Sequence, residues 1–213
     1  MTENNKLKWK SGTLLAPLPA VLVSCGTMEK PNAITIAWTG IINSDPVKTY
    51  VSIRPSRYSY GIIKESGKFV INLTTEALVK ATDFCGVRSG RDMDKFEKCG
   101  ITAAPAFELE DTPVIAESPI SLECRVTDIV PLGTHDMFIA DVVAVDVDPS
   151  LVDEDGALHL ERAKLIASSH GEYFTLGKKV GDFGFSVRKK STQKRRDAAK
   201  RAKSRNSNKK KKP

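Results

Sequence analysis

The sequence has few of the residues that build disulfide frameworks or metal centres. Its 213 residues include four cysteines, which form no C-x-x-C pair, and three histidines, which show no zinc-type spacing. We therefore expect no metal site. Four cysteines would permit two disulfides, but the polar segment 1–11 shows no secretion signal. We interpret Cys25, Cys85, Cys99 and Cys124 as mostly buried thiols of a cytoplasmic protein.

Long hydrophobic runs are also missing. The apolar stretch 14–25 contains Pro17 and Pro19 and is too short to span a bilayer, so we expect no contact with a membrane. Hydrophobic residues make up 40% of the chain and charged residues 28%, which is normal for a globular protein. A chain of this length can bury a sizeable core without disulfides or metals.

Positive charge is scarce in the first 187 residues, although the formal net charge of the chain is +7. Residues 188–213 hold 14 Lys and Arg and one acid, Asp197, whereas residues 1–187 hold 19 basic and 25 acidic residues. The two parts therefore carry net charges of +13 and −6. We predict an acidic folded domain over 1–187 and a disordered Lys/Arg-rich tail over 188–213. The tail has no aromatic residues that could stack on bases. We therefore predict only weak, salt-dependent contact between the tail and nucleic acid phosphates.

Alternating β-branched residues dominate the rest of the chain. They predict strands over 20–24, 32–39, 47–53, 69–73, 121–130 and 137–147, with a turn over 41–46 and a hairpin joining the last two strands. Short helices are predicted over 57–65, capped by Ser56, from Thr75 to about residue 84, and over 93–99, capped by Asp92. We expect a mostly β protein with short helices, whose antiparallel sheet closes as a barrel.

A polar cluster spans the end of the strand over 47–53 and the start of the helix that follows. Ser52 and Arg54 share one strand face, and Arg57 follows across a proline turn at a helix N-terminus. Forked guanidinium donors, hydroxyls and free backbone N–H groups are what a phosphate requires. The alternative is a strand–helix corner with solvated arginines.

Two weaker clusters accompany it. The first contains Ser89, Gly90, Arg91 and Lys95. Gly90 would let a ligand approach the backbone closely, and Arg91 and Lys95 add positive charge. The alternative is a loop with a helix cap. No P-loop and no G-x-G-x-x-G turn is present. On the strand over 32–39, Asn32, Ala37, Trp38 and Thr39 could line a flat aromatic ligand; an ordinary core tryptophan is the alternative.

No Ser-His-Asp order or G-x-S-x-G elbow appears in the sequence. His170, in the polar loop 168–173, is the one candidate for a catalytic side chain. A lone loop histidine is more often simply solvated.

Five segments taken together resemble the flavin reductase-like family, and within it the flavoredoxin branch. They are 32–40, 51–60, 67–73, 85–96 and 176–186, and the resemblance covers roughly residues 10 to 188. Ser59 stands where many members have threonine, which keeps the hydroxyl. The resemblance implies a Greek-key, FMN-binding split β-barrel that forms a homodimer, with FMN near the subunit interface.

The resemblance also implies which residues bind the cofactor. The isoalloxazine would contact the strand that carries Asn32, Thr35, Ala37, Trp38 and Thr39. The ribityl phosphate would be held by Ser52, Ile53, Arg54, Arg57, Tyr58 and Ser59, together with Ser89, Gly90, Arg91 and Lys95.

The implied activity is hydride transfer from NADH or NADPH to flavin N5, with electrons passed to a small-molecule or protein acceptor. The flavin carries this chemistry, so no catalytic side chain is required. Two other functions stay open. One is an FMN electron-transfer protein without nicotinamide activity, and the other is a nucleic-acid-associated protein acting through its basic tail.

Overall fold

The computed structural model describes residues 5–189, 191–192 and 194–195. The chain divides into two compact units, residues 1–176 and 177–213. In the described part of the second unit, a 3₁₀ turn spans Phe185–Val187, and Asp182 pairs with Lys179 and with Arg188. The predicted disorder and nucleic-acid contact of the tail over 188–213 concern residues that lie largely outside the described ranges, so both stay predictions.

The first unit is built from antiparallel strands. They are β1 (Leu18–Pro19), β2 (Val21–Gly26), β3 (Pro31–Ile36), β4 (Thr39–Ser44), β5 (Val47–Ile53), β6 (Lys68–Leu73), β7 (Ala103–Pro105), β8 (Pro113–Ile115), β9 (Ile120–Pro131), β10 (Asp136–Val147), β11 (Ile166–Ser169) and β12 (Glu172–Thr175). The helices are α1 (Tyr58–Ser66), α2 (Val79–Val87) and α3 (Lys95–Cys99), with 3₁₀ turns over Pro149–Leu151 and Leu160–Arg162.

Seven of these strands form one sheet in the order β3-β2-β6-β9-β10-β5-β4. Every pairing in it is antiparallel, which confirms the mostly β prediction and the predicted β9–β10 hairpin. The β9–β10 ladder shifts register between Ile139 and Ala140 and again between Val142 and Ala144. Such bulges bend and twist strands, and here they interrupt the two longest strands of the sheet.

The core fills both faces of the β2–β3 hairpin. Alternate residues, including Val21, Val23 and Ile34, pack on the inner face with α1 and the long strands. Leu22 and Ala33 point the other way, onto α2 and α3. This double burial explains the continuous apolar sequence of β2, and it fixes α2 and α3 beside the end of the sheet.

The predicted turn over 41–46 is wrong: the segment Thr39–Ser44 is strand β4, paired with β5. Only Asp45 and Pro46 form the turn between them. β4 lies at the edge of the sheet, and its apolar side chains Ile41 and Ile42 are 65% and 47% exposed. The strand therefore has no buried-face alternation for a pattern search to detect.

The three predicted helix starts are also corrected. Arg57, not Ser56, is the N-cap of α1, and it makes no side-chain capping bond. Thr75 bridges to Leu165 instead of capping α2, which begins at Val79. Asp94 caps α3 by accepting from the backbone N of Glu97 at 3.1 Å, so Asp92 does not. In each case a turn precedes the helix, and the local sequence does not show where the turn ends.

The cysteines are free thiols, three of them buried and Cys99 half-buried, as predicted. The described residues contain no group of three or more His, Cys, Asp or Glu side chains placed to hold a metal ion. No helix in the described ranges combines the length and apolar character that a bilayer crossing requires.

Candidate functional site

A cleft of about 450 Å³, here called the cationic cleft, opens between the end of β5, the start of α1 and the loop before α3. Five cationic side chains line it: Arg54, Arg57, Arg88, Arg91 and Lys95. None of the described residues that line it is acidic. A cleft of this kind favours an anionic group, because several guanidiniums offer forked donors without a competing carboxylate.

Lys95 is the buried cation of this cleft, with 3% of its surface exposed. Its Nζ donates to the carbonyl oxygens of Ala33 at 2.7 Å and Cys85 at 2.9 Å. Two of the three ammonium donors are thus used within the protein, which leaves the third for a ligand. Burial lowers the pKa of Lys95 from its ordinary value.

Ser59 contributes a buried hydroxyl from the first turn of α1. Its Oγ accepts a hydrogen bond from Nδ2 of Asn32 at 2.8 Å, and the hydroxyl also has a hydrogen-bonding interaction with the buried Cys25 thiol. On binding, its hydrogen can be donated to a ligand in the cleft instead. Because Arg57 makes no side-chain cap, the first backbone N–H groups of α1 are also without a side-chain acceptor. This helix end points its partial positive charge toward the residues of the cationic cleft.

Gly90 brings the backbone of the loop over 88–91 against the floor of the site. A Cβ atom at this position would lie 2.1 Å from Oδ1 of Asn32 and 3.1 Å from Cδ1 of Tyr58, so a side chain does not fit. Next to it, the Arg91 guanidinium lies 5.8 Å from the centroid of the Tyr58 ring. Ser89 accepts from the backbone N of Arg91 at 3.2 Å. The loop is therefore shaped for close approach of its backbone.

A second cleft, here called the tryptophan cleft, adjoins the first and shares Arg54 and Arg57 with it. Trp38 and His135 form one wall, with ring centroids 4.5 Å apart, and Trp38 is 39% exposed. The backbone N of Ser52 donates to the Trp38 carbonyl at 3.0 Å, which ties the indole segment to β5. An exposed indole beside a cation-rich cleft is suited to a flat ligand that carries a negative charge.

His135 was not among the predicted site residues. It lies in the β9–β10 hairpin loop, and burial together with Arg54 and Arg57 lowers its pKa, so the imidazole is neutral at pH 7. The sequence has no motif for it. The pairing of Asp136 with Ile53 brings this loop to the end of β5, and that pairing is long-range.

The structure brings most of the predicted site residues together, but not in the predicted groups. Asn32 bonds to Ser59 and lies against Gly90, but it lines neither the cationic cleft nor the tryptophan cleft. The Thr35 and Thr39 hydroxyls donate to the carbonyls of Thr82 and Tyr50, and Thr39 lines neither cleft. Other predicted residues line the tryptophan cleft (Thr35, Ala37, Ser52 and the core residue Ile53) or the cationic cleft (Tyr58, Ser59, Ser89 and Gly90).

His170 lines neither the cationic cleft nor the tryptophan cleft. It occupies the tip of the β11–β12 hairpin with a left-handed φ of 50°. With Trp38, Leu14 and Leu15 it lines a third cleft of about 420 Å³. The structure therefore separates His170 from the cationic cleft, and its catalytic role stays a prediction.

Comparison with known proteins identifies the class. The model of the flavin reductase like domain family matches residues 14–165, and the chain belongs to that family. An uncharacterized protein from Archaeoglobus fulgidus is 32% identical over 76% of this chain and 89% of its own length. An NADPH-flavin oxidoreductase from Streptomyces viridifaciens is 26% identical, over 60% of this chain and 65% of its own length.

Among solved structures, the chain is similar to flavoredoxin of Desulfovibrio vulgaris (Miyazaki F), with 30% identity and a TM-score of 0.79. That match covers 86% of this chain and 100% of the flavoredoxin. Flavoredoxin from Methanosarcina acetivorans has 25% identity and a TM-score of 0.77, with 87% and 100% covered. These matches confirm the predicted family, its flavoredoxin branch and the split-barrel fold.

The residues of the two clefts fit a phosphorylated flavin. The cationic cleft offers several cations without a carboxylate, a buried hydroxyl and a glycine approach where a Cβ would clash. The tryptophan cleft adds an aromatic wall directly beside it.

Proposed function

We propose that the protein binds FMN and acts as an NAD(P)H-dependent oxidoreductase. The observation that carries the proposal is the cationic cleft, which joins an indole-walled cleft through Arg54 and Arg57. In this arrangement the cations and Ser59 hold the ribityl phosphate, and the tryptophan cleft receives the ring system. Bound FMN would supply the redox chemistry, taking hydride from NADH or NADPH and passing electrons to an acceptor.

Each residue has a distinct task in this proposal. Lys95 and Ser59 bind the phosphate from the floor of the cleft with groups already held by Ala33, Cys85 and Asn32. Because their positions are fixed before the ligand arrives, little ordering entropy opposes binding. Trp38 and His135 exclude water from one side of the ring system. The neutral His135 imidazole adds no further cation there.

Support for a nicotinamide donor comes from the family and from the relative named NADPH-flavin oxidoreductase. The test is the visible spectrum of the purified full-length protein mixed with FMN, before and after anaerobic addition of NADH or NADPH. We expect FMN to be retained and its visible absorption to bleach. Failure to retain FMN would contradict the proposal. Retention without bleaching by either donor would favour an electron-transfer flavoprotein instead.

We also propose that the protein is a homodimer. The edge strand β4 exposes Ile41 and Ile42, and the adjacent β5 begins with Val47, which is 45% exposed. A long edge with exposed apolar side chains is normally covered, and a second copy of the chain is the occupant we propose. Light scattering after gel filtration should give the dimer mass for the native protein, and Ile41→Lys should shift it to the monomer mass. A monomeric native protein would contradict this.

A further inference from the structure

Two cysteines bring their thiols together beside the cationic cleft. Cys85 lies in the last turn of α2, and Cys99 is the last residue of α3. Their Sγ atoms are 3.9 Å apart, which is within hydrogen-bonding distance for sulfur. This separation leaves about 2 Å to the length of a disulfide bond, so a small movement of the two helix ends would join them.

The two thiols differ in their access to solvent. Cys85 is 1% exposed, whereas Cys99 is half-buried at the edge of the apolar cluster that both residues share. An oxidant in solution therefore meets Cys99 first, and Cys85 lies behind it as the second thiol. The other two cysteines, Cys25 and Cys124, are fully buried.

The surroundings of the pair set the speed of its chemistry. Burial raises the pKa of the Cys85 thiol to about 12 and also raises the pKa of Cys99, while the nearby Lys95 ammonium acts in the opposite direction on both. Because the thiolate is the attacking species, exchange is slow at neutral pH and becomes faster as the pH rises. The pair is therefore suited to prolonged oxidising conditions and not to a rapid catalytic cycle.

The chain between the two cysteines builds much of the cationic cleft. Residues 86–98 supply three of its five cations, Arg88, Arg91 and Lys95, as well as the close approach of Gly90. The Cys85 carbonyl itself accepts from Nζ of Lys95 at 2.9 Å. A covalent bond between Cys85 and Cys99 would tie both ends of this segment together and remove its more open conformations. A phosphate held by these cations would then have fewer routes of release.

We propose that Cys85 and Cys99 form a reversible disulfide, and that this cross-link slows the release of FMN from the cationic cleft. In the reduced protein, flavin exchanges with the solution. In the oxidised protein, it stays bound as a prosthetic group. The second part of the inference rests on the proposed function, whereas the cross-link itself does not.

The oxidant that the pair requires is a low-molecular-weight disulfide. After losing its proton, Cys99 attacks one sulfur of the oxidant, so a mixed disulfide forms and one thiolate leaves. Cys85 then loses its proton and attacks the Cys99 sulfur, so the protein disulfide forms, the mixed disulfide breaks and the second thiolate leaves. The two protein thiols lose two electrons and two protons in total, and the oxidant is reduced to two thiols.

The test uses the full-length protein after incubation with oxidised glutathione at mildly alkaline pH, and compares it with protein kept in reduced glutathione. We expect mass spectrometry to show the loss of two hydrogen atoms, and proteolysis to release two peptides joined through Cys85 and Cys99. After removal of glutathione, stopped-flow fluorescence should give a rate constant of FMN release at least about fivefold lower for the oxidised form. Dithiothreitol should restore the rate of the reduced form.

Cys99→Ser is the main variant, because serine removes the sulfur and nearly keeps the size of the side chain. It should release FMN at the rate of the reduced native protein, and the oxidant should not change that rate. Cys124→Ala is the matched control: it removes a buried thiol of β9 and keeps the pair. This protein should respond to the oxidant as the native protein does.

The measurements separate the two parts of the inference. A mixed disulfide that persists at Cys99, or an oxidised protein without a cross-link, would show that the two thiols do not pair. A cross-link that leaves FMN release unchanged, or a Cys99→Ser protein that responds like the native one, would exclude control of the cleft by this pair. If neither form binds FMN, the proposed function is wrong, and the loss of two hydrogen atoms still reports whether the disulfide forms.

Discussion

The Nδ2 atom of Asn32 donates to the Oγ atom of Ser59 over 2.8 Å, joining strand β3 to the first turn of α1. Both side chains are buried, with 5% and 2% of their surfaces exposed. The Ser59 hydroxyl also has a hydrogen-bonding interaction with the buried Cys25 thiol. Its hydrogen can be donated to that thiol or to an anion in the cationic cleft, which Ser59 lines.

Ser59→Ala removes that donor and leaves the Asn32 amide without one of its partners. We expect FMN affinity to fall about tenfold or more, the usual loss for a hydrogen bond to a charged group. Ser59→Thr keeps the hydroxyl and should bind FMN within about threefold of the native protein. Quenching of flavin fluorescence measures the FMN affinity of both variants. Equal binding by the alanine variant would exclude Ser59 from the phosphate site.

Gly90→Ala tests the close approach of the loop over 88–91. The added Cβ would meet Oδ1 of Asn32 at 2.1 Å, so the loop or the amide must move. We expect a loss of about 1–3 kcal/mol in the free energy of unfolding and weaker FMN binding. Gly61→Ala is the control, because its Cβ has no atom within 4 Å in helix α1, and alanine there should be neutral or slightly stabilising. Urea denaturation of both variants measures the change in the free energy of unfolding, and equal stability of the two would contradict the close approach at Gly90.

Lys95→Met replaces the buried ammonium with an apolar chain of similar length. The carbonyls of Ala33 and Cys85 lose their donor, so we expect about 1–3 kcal/mol of destabilisation and at least tenfold weaker FMN binding, roughly the worth of a charged hydrogen bond. Lys98→Met, at an exposed lysine of the same helix, is the control and should leave both the free energy of unfolding and the FMN affinity close to the native values. If the two variants bind FMN equally, the phosphate does not reach Lys95.

The pH dependence of the native protein follows from the same group. Burial lowers the pKa of Lys95, so its positive charge is lost at a lower pH than that of an ordinary lysine. FMN affinity should therefore decline as the pH rises through that lowered pKa. The unfolded chain holds the proton more tightly, so the contribution of this group to stability moves the opposite way and increases over the same interval. Calorimetric binding measured from neutral to alkaline pH checks the sign, with Lys95→Met as the flat reference.

How far the sequence could predict this site depends on where each residue lies along the chain. Arg54 and Arg57 are within one strand–helix corner, so local sequence was enough to predict that these two cations lie together. The family resemblance added Ser59 to the same corner, and the binding of a phosphate there stays a proposal. His135 reaches the same corner only because β10 pairs with β5, and no local pattern contains that pairing. Asn32 is on the predicted strand, but its partner Ser59 is 27 residues away, so the contact between them depends on how α1 packs.

The edge strand β4 shows that local sequence also fails to predict part of the fold when long-range pairing decides it. By contrast, β2 and β3, at the other end of the sheet, were predictable because burial imposes an apolar pattern on them. β4 has one paired side and exposed isoleucines, and its sequence ends in residues typical of turns. Pairing with β5 overrides that local tendency, since the backbone hydrogen bonds of the ladder do not depend on side-chain pattern.

Trp38 and Trp9 provide an internal control for the tryptophan cleft. Trp38 lines the cleft beside His135, whereas Trp9 is 71% exposed and lines none of the clefts described here. A flavin bound beside Trp38 should quench its fluorescence. We expect FMN to quench the Trp9→Phe protein strongly and the Trp38→Phe protein much less. The reverse result would place the ring system elsewhere.

Asp146 gives a prediction about stability that does not involve the cofactor. Burial raises its pKa to about 6, and the nearby charge of Glu123 adds to the rise. The folded protein therefore binds this proton more tightly than the unfolded chain, so stability falls as the pH rises from about 4 through about 6. A hydrogen bond between the Asp146 and Glu123 side chains contributes to the same rise in the pKa. Glu123 also accepts from the backbone N of Phe107, Glu108 and Leu109 at 2.7, 2.9 and 2.7 Å.

Asp146→Asn removes the charge without changing the side-chain shape. At pH 8 the variant should be more stable than the native protein by about 1 kcal/mol, after allowing for solvent screening of a partly exposed group. At pH 4, where the native carboxyl is already protonated, the two should be equal. Asp128→Asn, at an exposed site on β9, should show no such pH-dependent gain. Urea denaturation at the two pH values measures the difference, and an equal effect of Asp146→Asn at both would mean that Asp146 titrates normally.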